Sequence, residues 1–168
     1  MKIQRAFGDI WIGPGDDVRK IAQKFLEPAS VDISELKIHR GPAAHAILNV
    51  ADDYPEVPHH RDMLYIHAGL NDGPEDWDAP YGEDNSICAY LHAVTSLRFL
   101  AEGPWDVFVH CHGGVSRSTF VVACYMAWLL DAPYEQAITM LKAVYPRANP
   151  HPKHPPFAQK ILAALEVV

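Results

Sequence analysis

A cysteine and an arginine separated by five residues lie within the stretch from His110 to Ser118, which reads HCHGGVSRS. Gly113 and Gly114 lack a Cβ atom, so this stretch can adopt positive φ angles and turn consecutive backbone N–H groups toward one point. Arg117 adds a planar guanidinium group that matches two oxygens of a phosphate. The residue types and their spacing therefore predict a loop that binds a phosphate group.

Cys111 would lie at the bottom of this loop. The backbone amides, the positive end of a following helix and the guanidinium group all favour its thiolate form. A thiolate that faces a bound phosphate is a nucleophile aimed at phosphorus. The alternative is a buried structural cysteine beside a glycine turn. That alternative does not explain Arg117 directly before an apolar helix, where an unpaired charge would be costly to bury.

Two apolar segments flank the loop and would position it. Residues 107–109 read VFV and are typical of a short buried strand, whereas residues 120–130 are apolar nearly all round and predict a buried helix. A strand, a tight loop and a helix N-terminus in this order form an anion-binding arrangement. Cys124 lies within the apolar helix and is expected in the core.

Short apolar strands alternate with amphipathic helices along the rest of the chain. This alternation predicts one α/β domain over residues 1–168, with a central, mostly parallel sheet of four to five strands that is flanked by helices on both faces. The predicted strands are residues 3–12 (a hairpin or edge strand), 44–50, 64–67 and 106–111, and the predicted helices are 18–26, 85–101, 118–130, 134–144 and 156–167.

The amino-acid composition and the net charge exclude several classes of protein. An apolar fraction of 49% and a charged fraction of 21% are typical of a globular protein. The net charge of −7 argues against nonspecific binding to nucleic acid or to an anionic membrane. No stretch approaches the roughly 20 apolar residues of a membrane span, and the first ten residues contain no signal-peptide core. We expect a cytoplasmic monomer.

The three cysteines, at positions 88, 111 and 124, are odd in number and widely spaced. This pattern suggests neither a disulfide framework nor a structural zinc site. We expect an enzyme that uses no metal and no cofactor.

The stretch HCHGGVSRS resembles the signature of the cysteine-dependent phosphatases of the protein tyrosine phosphatase superfamily, in which His and Cys are followed by five residues, Arg, and Ser or Thr. Over most of the chain the order of elements resembles the atypical dual-specificity phosphatases. Four short motifs add to the resemblance: DIWIG at 9–13, AILNV at 46–50, ND at 71–72 and RANP at 147–150. The resemblance implies a phosphatase-like fold and a protein phosphatase that forms a cysteinyl-phosphate intermediate.

The resemblance also implies roles for single residues. Cys111 would be the nucleophile, Arg117 the phosphate clamp, and Ser118 the hydroxyl that stabilises the thiolate when it becomes the leaving group. His110 would form a hydrogen bond behind the cysteine. The other loop residues would bind substrate mainly through their backbone amides; they are His112, Gly113, Gly114, Val115 and Ser116.

The family uses an aspartic acid on an upstream loop to protonate the leaving oxygen. Asp72, at the end of the third predicted strand, is the best match by position. An extended acidic segment places Asp72 further from Cys111 than is usual in the small members. Asp78, in the sequence WDAP, is a rival that is similar to the Trp-Pro-Asp loop of the larger tyrosine phosphatases.

The substrate is expected to be a phosphorylated protein or peptide, with phosphotyrosine as the first choice beside phosphoserine and phosphothreonine. The loop contains no lysine, unlike the phosphoinositide phosphatases of the superfamily. Two other functions stay open: a noncatalytic phosphate-binding pseudophosphatase and a rhodanese-like sulfurtransferase. The intact Cys111, Arg117 and Ser118 argue against the first, and sulfur transfer from thiosulfate would test the second.

Overall fold

A computed structural model describes residues 2–4, 9–16, 46–54, 63–71, 82–103 and 105–166. Five strands form one sheet in the order β1-β2-β5-β3-β4. The outer strand β1 pairs antiparallel with β2, and every other neighbouring pair is parallel. The predicted, mostly parallel sheet is confirmed. The strands are β1 (Lys2–Gln4), β2 (Asp9–Pro14), β3 (Ala46–Ala51), β4 (Leu64–Leu70) and β5 (Val107–Cys111).

Strand β5 lies at the centre of the sheet, between β2 and β3. Every residue of β3 and β5 is buried, because both faces of a central parallel strand are covered. The register places Cys111 beside Pro14 of β2, and His110 beside Asn49 of β3. Cys111 therefore lies at the carboxyl end of the central strand, which is where ligand sites collect in parallel sheets.

In the described part of the chain one helix lies between β4 and β5, and three more follow β5. They are α1 (Gly82–Glu102), α2 (Arg117–Leu129), α3 (Tyr134–Val144) and α4 (His154–Leu165). They pack against one another, and α1 and α2 also pack on the sheet. The α/β fold and these four predicted helices are confirmed. The helix predicted at 18–26 lies outside the described residues. None of the described helices is long and apolar enough to cross a membrane.

Helix α2 lies in the middle of the helical layer, and all of its residues from Arg117 to Ala127 are buried. A helix that is apolar nearly all round is buried on every side. Phe120 shows how it packs, because its ring contacts those of Tyr90, Tyr134 and His154 at centroid distances of 5.0, 5.4 and 4.7 Å. The loop before α2 is thereby attached to a close-packed element.

Candidate active site

The signature loop joins the last residue of β5, Cys111, to the first residue of α2, Arg117. Gly114 has a φ of 66°, and a Cβ atom there would lie 2.4 Å from the carbonyl carbon of Gly13 in β2. Only glycine fits a position with both features. The N–H of Gly15 donates a hydrogen bond of 2.9 Å to the carbonyl of His112. One side of the loop is therefore held closely against the end of β2.

The connector between α3 and α4, residues 145–153, forms hydrogen bonds to the outer side of the loop. The hydroxyl of Tyr145 donates to the carbonyl of Gly114 at 3.0 Å, and the N–H of Asn149 donates to the carbonyl of Val115 at 2.9 Å. In a trans peptide the next N–H points opposite to the carbonyl. The N–H groups of Val115 and Ser116 consequently point away from the connector, as an amide cradle requires.

The predicted nucleophile and its predicted hydroxyl partner lie together. The Sγ atom of Cys111 is 3.4 Å from the Oγ atom of Ser118, and both residues are buried. The hydroxyl of Thr119 donates to the carbonyls of Val115 and Ser116 at 2.6 and 2.8 Å. These bonds attach the loop to the first turn of α2.

His110 directly precedes the cysteine in β5. Its ring is buried, with Nδ1 3.3 Å from the carbonyl oxygen of Cys111. Burial lowers the pKa of His110 to about 4, so its ring is neutral at pH 7. The ring of Tyr54 packs edge-on against those of both His110 and His112. The aromatic contact fixes the strand end that carries the thiol.

Arg117 is buried and paired with two carboxylates that the sequence analysis did not anticipate. Its Nη1 atom donates to Asp53 Oδ1 at 2.6 Å, to Asp52 Oδ1 at 3.2 Å and to the carbonyl of Leu70 at 2.9 Å. The guanidinium is only 1% exposed. Its burial is offset by these partners, so the cost of an unpaired charge does not arise here. The available signal was the pair of aspartates directly after the buried strand β3.

Asp53 also contacts the loop itself, since its Oδ2 atom lies 3.4 Å from Nδ1 of His112. The hydrogen bond from Arg117 is the main reason that the pKa of Asp53 lies below its usual value. Asp53 is therefore ionised near neutrality and is a poor proton donor.

Asn49 shapes the segment that carries both aspartates. Its buried side chain donates from Nδ2 to the hydroxyl of Tyr65 at 3.0 Å, and its Oδ1 accepts from the N–H of Ala51, also at 3.0 Å. A polar residue inside an apolar strand, as in AILNV, was the sequence signal for such a role.

The two candidates for the general acid, Asp72 and Asp78, lie outside the described residues. The described part of this segment ends at Asn71. The residue before it, Leu70, accepts a hydrogen bond from Arg117 through its backbone carbonyl. Within the described ranges, no three His, Cys, Asp or Glu side chains are grouped so that they could bind one metal ion.

Sequence comparison finds similarity to curated proteins over part of the chain. Dual specificity protein phosphatase 15 of the rat, Rattus norvegicus, and that of the mouse, Mus musculus, are each 30% identical over 92 residues. The match spans 55% of this chain but only 36% of each relative, about a third of their length. No protein-family model matches the chain.

Structural comparison shows that the fold is shared over almost the whole chain. The crystal structure of DUSP15 has a TM-score of 0.65 and 20% identity, covering 99% of this chain and 95% of its own. Human DUSP28 has a TM-score of 0.65 and 17% identity, covering 94% of both chains. The human tyrosine phosphatase-like serine/threonine/tyrosine-interacting protein has a TM-score of 0.67 and 16% identity, covering 100% of this chain and 98% of its own.

The comparisons in sequence and in fold thus lead to proteins of the same kind. The predicted resemblance to dual-specificity phosphatases is confirmed: the curated proteins that match part of this chain are dual specificity protein phosphatases, and the crystal structures of DUSP15 and DUSP28 share its fold.

Proposed function

We propose that the protein is a cysteine-dependent phosphomonoester hydrolase that acts on phosphotyrosine, and also on phosphoserine and phosphothreonine, in proteins. The observation that carries this proposal is the 3.4 Å contact between the thiol of Cys111 and the hydroxyl of Ser118 at the carboxyl end of the central strand. The similarity to dual specificity protein phosphatase 15 supports the same reaction.

In the first step, the thiolate of Cys111 attacks phosphorus in line, so that an S–P bond forms as the ester P–O bond breaks. The loop amides and the guanidinium of Arg117 stabilise the charge on the three equatorial oxygens. Asp72 gives its proton to the departing oxygen of the substrate. Asp53 is unsuited to this task because its pKa is held low by Arg117.

In the second step, Asp72 accepts a proton from a water molecule that attacks phosphorus, and the S–P bond breaks to release inorganic phosphate. The hydroxyl of Ser118 donates a hydrogen bond to the thiolate that leaves. Asp72 is preferred to Asp78 because it follows Leu70, the strand residue in contact with Arg117, by only two positions.

The test is hydrolysis of para-nitrophenyl phosphate in excess EDTA with a reductant present. We expect turnover by the wild type and none by Cys111→Ser, since a serine hydroxyl is not ionised at neutral pH. Cys88→Ser is the matched control, because Cys88 is exposed on α1, and it should keep full activity. Asp72→Ala and Asp78→Ala, compared in the same assay, assign the general acid.

Other outcomes favour the other two functions. No turnover by the wild type, together with binding of a phosphopeptide, would indicate a noncatalytic phosphate-binding module. Sulfur transfer from thiosulfate that depends on Cys111 would indicate a sulfurtransferase.

A further inference from the structure

The side chain assigned to hold the substrate phosphate already holds a carboxylate of the same chain. Asp53 Oδ1 accepts from Nη1 of Arg117 at 2.6 Å, which is shorter than the bonds from that nitrogen to Asp52 and to the carbonyl of Leu70. A phosphate oxygen and a carboxylate oxygen are acceptors of the same kind for a guanidinium group. A phosphate ester bound beside Arg117 would therefore compete with Asp53 for this guanidinium group.

The two partners differ in their freedom to move. The guanidinium of Arg117 is 1% exposed and is also bonded to Asp52 and to the backbone of Leu70. The side chain of Asp53 is 49% exposed. A carboxylate that turns from this position toward water regains its hydration, whereas an arginine that moved away would lose Asp52, Asp53 and the carbonyl of Leu70 together. Asp53 is consequently the partner that leaves.

Charge also favours displacement of Asp53. A phosphate ester beside Arg117 would add its charge to those of Asp52, Asp53 and the Cys111 thiolate, and like charges at this short range repel one another. His112, whose Nδ1 lies 3.4 Å from Asp53 Oδ2, is itself 66% exposed and can follow the carboxylate outward.

We propose that Asp53 is an internal counter-ion of the anion site: it pairs with Arg117 in the free protein, and a phosphate ester displaces it. The proposal rests on the proposed function in taking the loop as the site of the phosphate ester. It makes Asp53 a residue that weakens substrate binding and sets KM, without contact with the reacting atoms.

The test is Asp53→Asn, which keeps an acceptor oxygen for Arg117 and removes the charge. With para-nitrophenyl phosphate we expect KM to fall roughly fivefold to tenfold and kcat to change less than twofold. Asp52→Asn, whose contact with Arg117 is longer at 3.2 Å, should lower KM less. Asp131→Asn controls for net charge, since Asp131 is exposed beyond the far end of α2 and its φ of 49° suits asparagine.

The opposite result has a clear meaning. If Asp53 serves to orient Arg117 for the reaction, Asp53→Asn lowers kcat and leaves KM unchanged or higher, and the counter-ion proposal is overturned. Circular dichroism and thermal melting of each variant establish that all are folded alike.

A binding experiment separates this proposal from the proposed function. Calorimetry with inorganic phosphate compares Cys111→Ser with the double variant Cys111→Ser/Asp53→Asn, and neither needs to turn over. Tighter binding by the double variant supports the counter-ion, even where the wild type hydrolyses no phosphate ester and the proposed function fails. Equal or weaker binding by the double variant, or no binding by either, overturns it.

Discussion

Ser118 contacts the thiol from the first turn of α2. The distance of 3.4 Å between Ser118 Oγ and Cys111 Sγ suits a hydrogen bond to sulfur, and the burial of both groups keeps bulk water from replacing it. The thiolate is the leaving group only in the second step of the proposed reaction. The contribution of Ser118 should therefore appear in the breakdown of the cysteinyl phosphate.

Replacement of Ser118 by alanine tests that role. A hydrogen bond to a charged group contributes about 1.5–3 kcal/mol, so we expect Ser118→Ala to lower kcat roughly tenfold to hundredfold. Rapid-mixing experiments should show a burst of para-nitrophenol, because phosphoenzyme accumulates. Ser96→Ala removes a buried hydroxyl from α1, and it should neither lower kcat nor produce a burst. A slower first turnover without a burst would place Ser118 in the attack step instead.

Cys124 differs from Cys111 in its surroundings, although both thiols are buried. Cys124 lies in the middle of α2, where burial raises the pKa of its thiol above the usual value. A thiol of this kind is a small core side chain with little nucleophilic character. The expectation that Cys124 belongs to the core is confirmed.

The loop keeps its shape through contacts with two other elements, the end of β2 on one side and the connector between α3 and α4 on the other. Both of these elements contact the loop at Gly114. Its carbonyl accepts from Tyr145, and its Cα lies too close to Gly13 for any side chain. The conformation of the loop thus depends on elements far apart in the sequence.

Gly114→Ala should destabilise the protein and remove the proposed phosphatase activity. A left-handed backbone costs a residue other than glycine about 1–3 kcal/mol, and the clash with β2 adds to this loss. Gly113→Ala is the matched control for stability, since a Cβ atom there meets nothing closer than 3.9 Å. Urea denaturation should show a lower midpoint for Gly114→Ala alone. Equal midpoints for both variants would contradict the crowding at Gly114.

Two buried histidines should make the stability of the fold depend on pH. His110 lies in β5, and His154, at the start of α4, is bonded through Nε2 to the hydroxyl of Tyr90 in α1. Burial lowers the pKa of His110 to about 4 and that of His154 to about 3. Each ring is therefore neutral in the folded protein at pH values where it is protonated in the unfolded chain.

The fold should lose stability as the pH falls below about 6.5, the ordinary pKa of histidine. Because the unfolded chain binds these protons first, the free energy of unfolding falls by about 2 kcal/mol per histidine between pH 7 and pH 5. Urea denaturation at the two pH values measures the loss. His154→Gln should reduce it by about 2 kcal/mol, and His92→Gln, at an exposed position of α1, should leave it unchanged. If the free energy of unfolding of His154→Gln falls between pH 7 and pH 5 as much as that of the wild type, His154 is not the source of the loss.

The elements nearest the site were predictable because their signals are local in the chain. The sequence HCHGGVSRS determined the order of the thiol, the glycines, the guanidinium group and the hydroxyl, and the apolar segments around it predicted β5 and α2. Hydrophobic periodicity depends only on near neighbours, which is why it also predicted the four described helices. Residues 72–80, with both candidates for the general acid, lie outside the described part of the chain.

Only the tertiary structure decided which residues surround Arg117. Asp53 precedes Arg117 by 64 positions, and no local pattern relates the two. They meet because β3 pairs in parallel with β5 on one side and with β4 on the other, which brings the carboxyl ends of all three strands to one edge of the sheet. Tertiary packing likewise brings together residues far apart in the sequence in the hydrogen bonds between Tyr145 and Gly114 and between His154 and Tyr90. The sequence by itself determined the chemical groups of the site, and the sheet order determined which charges those groups meet.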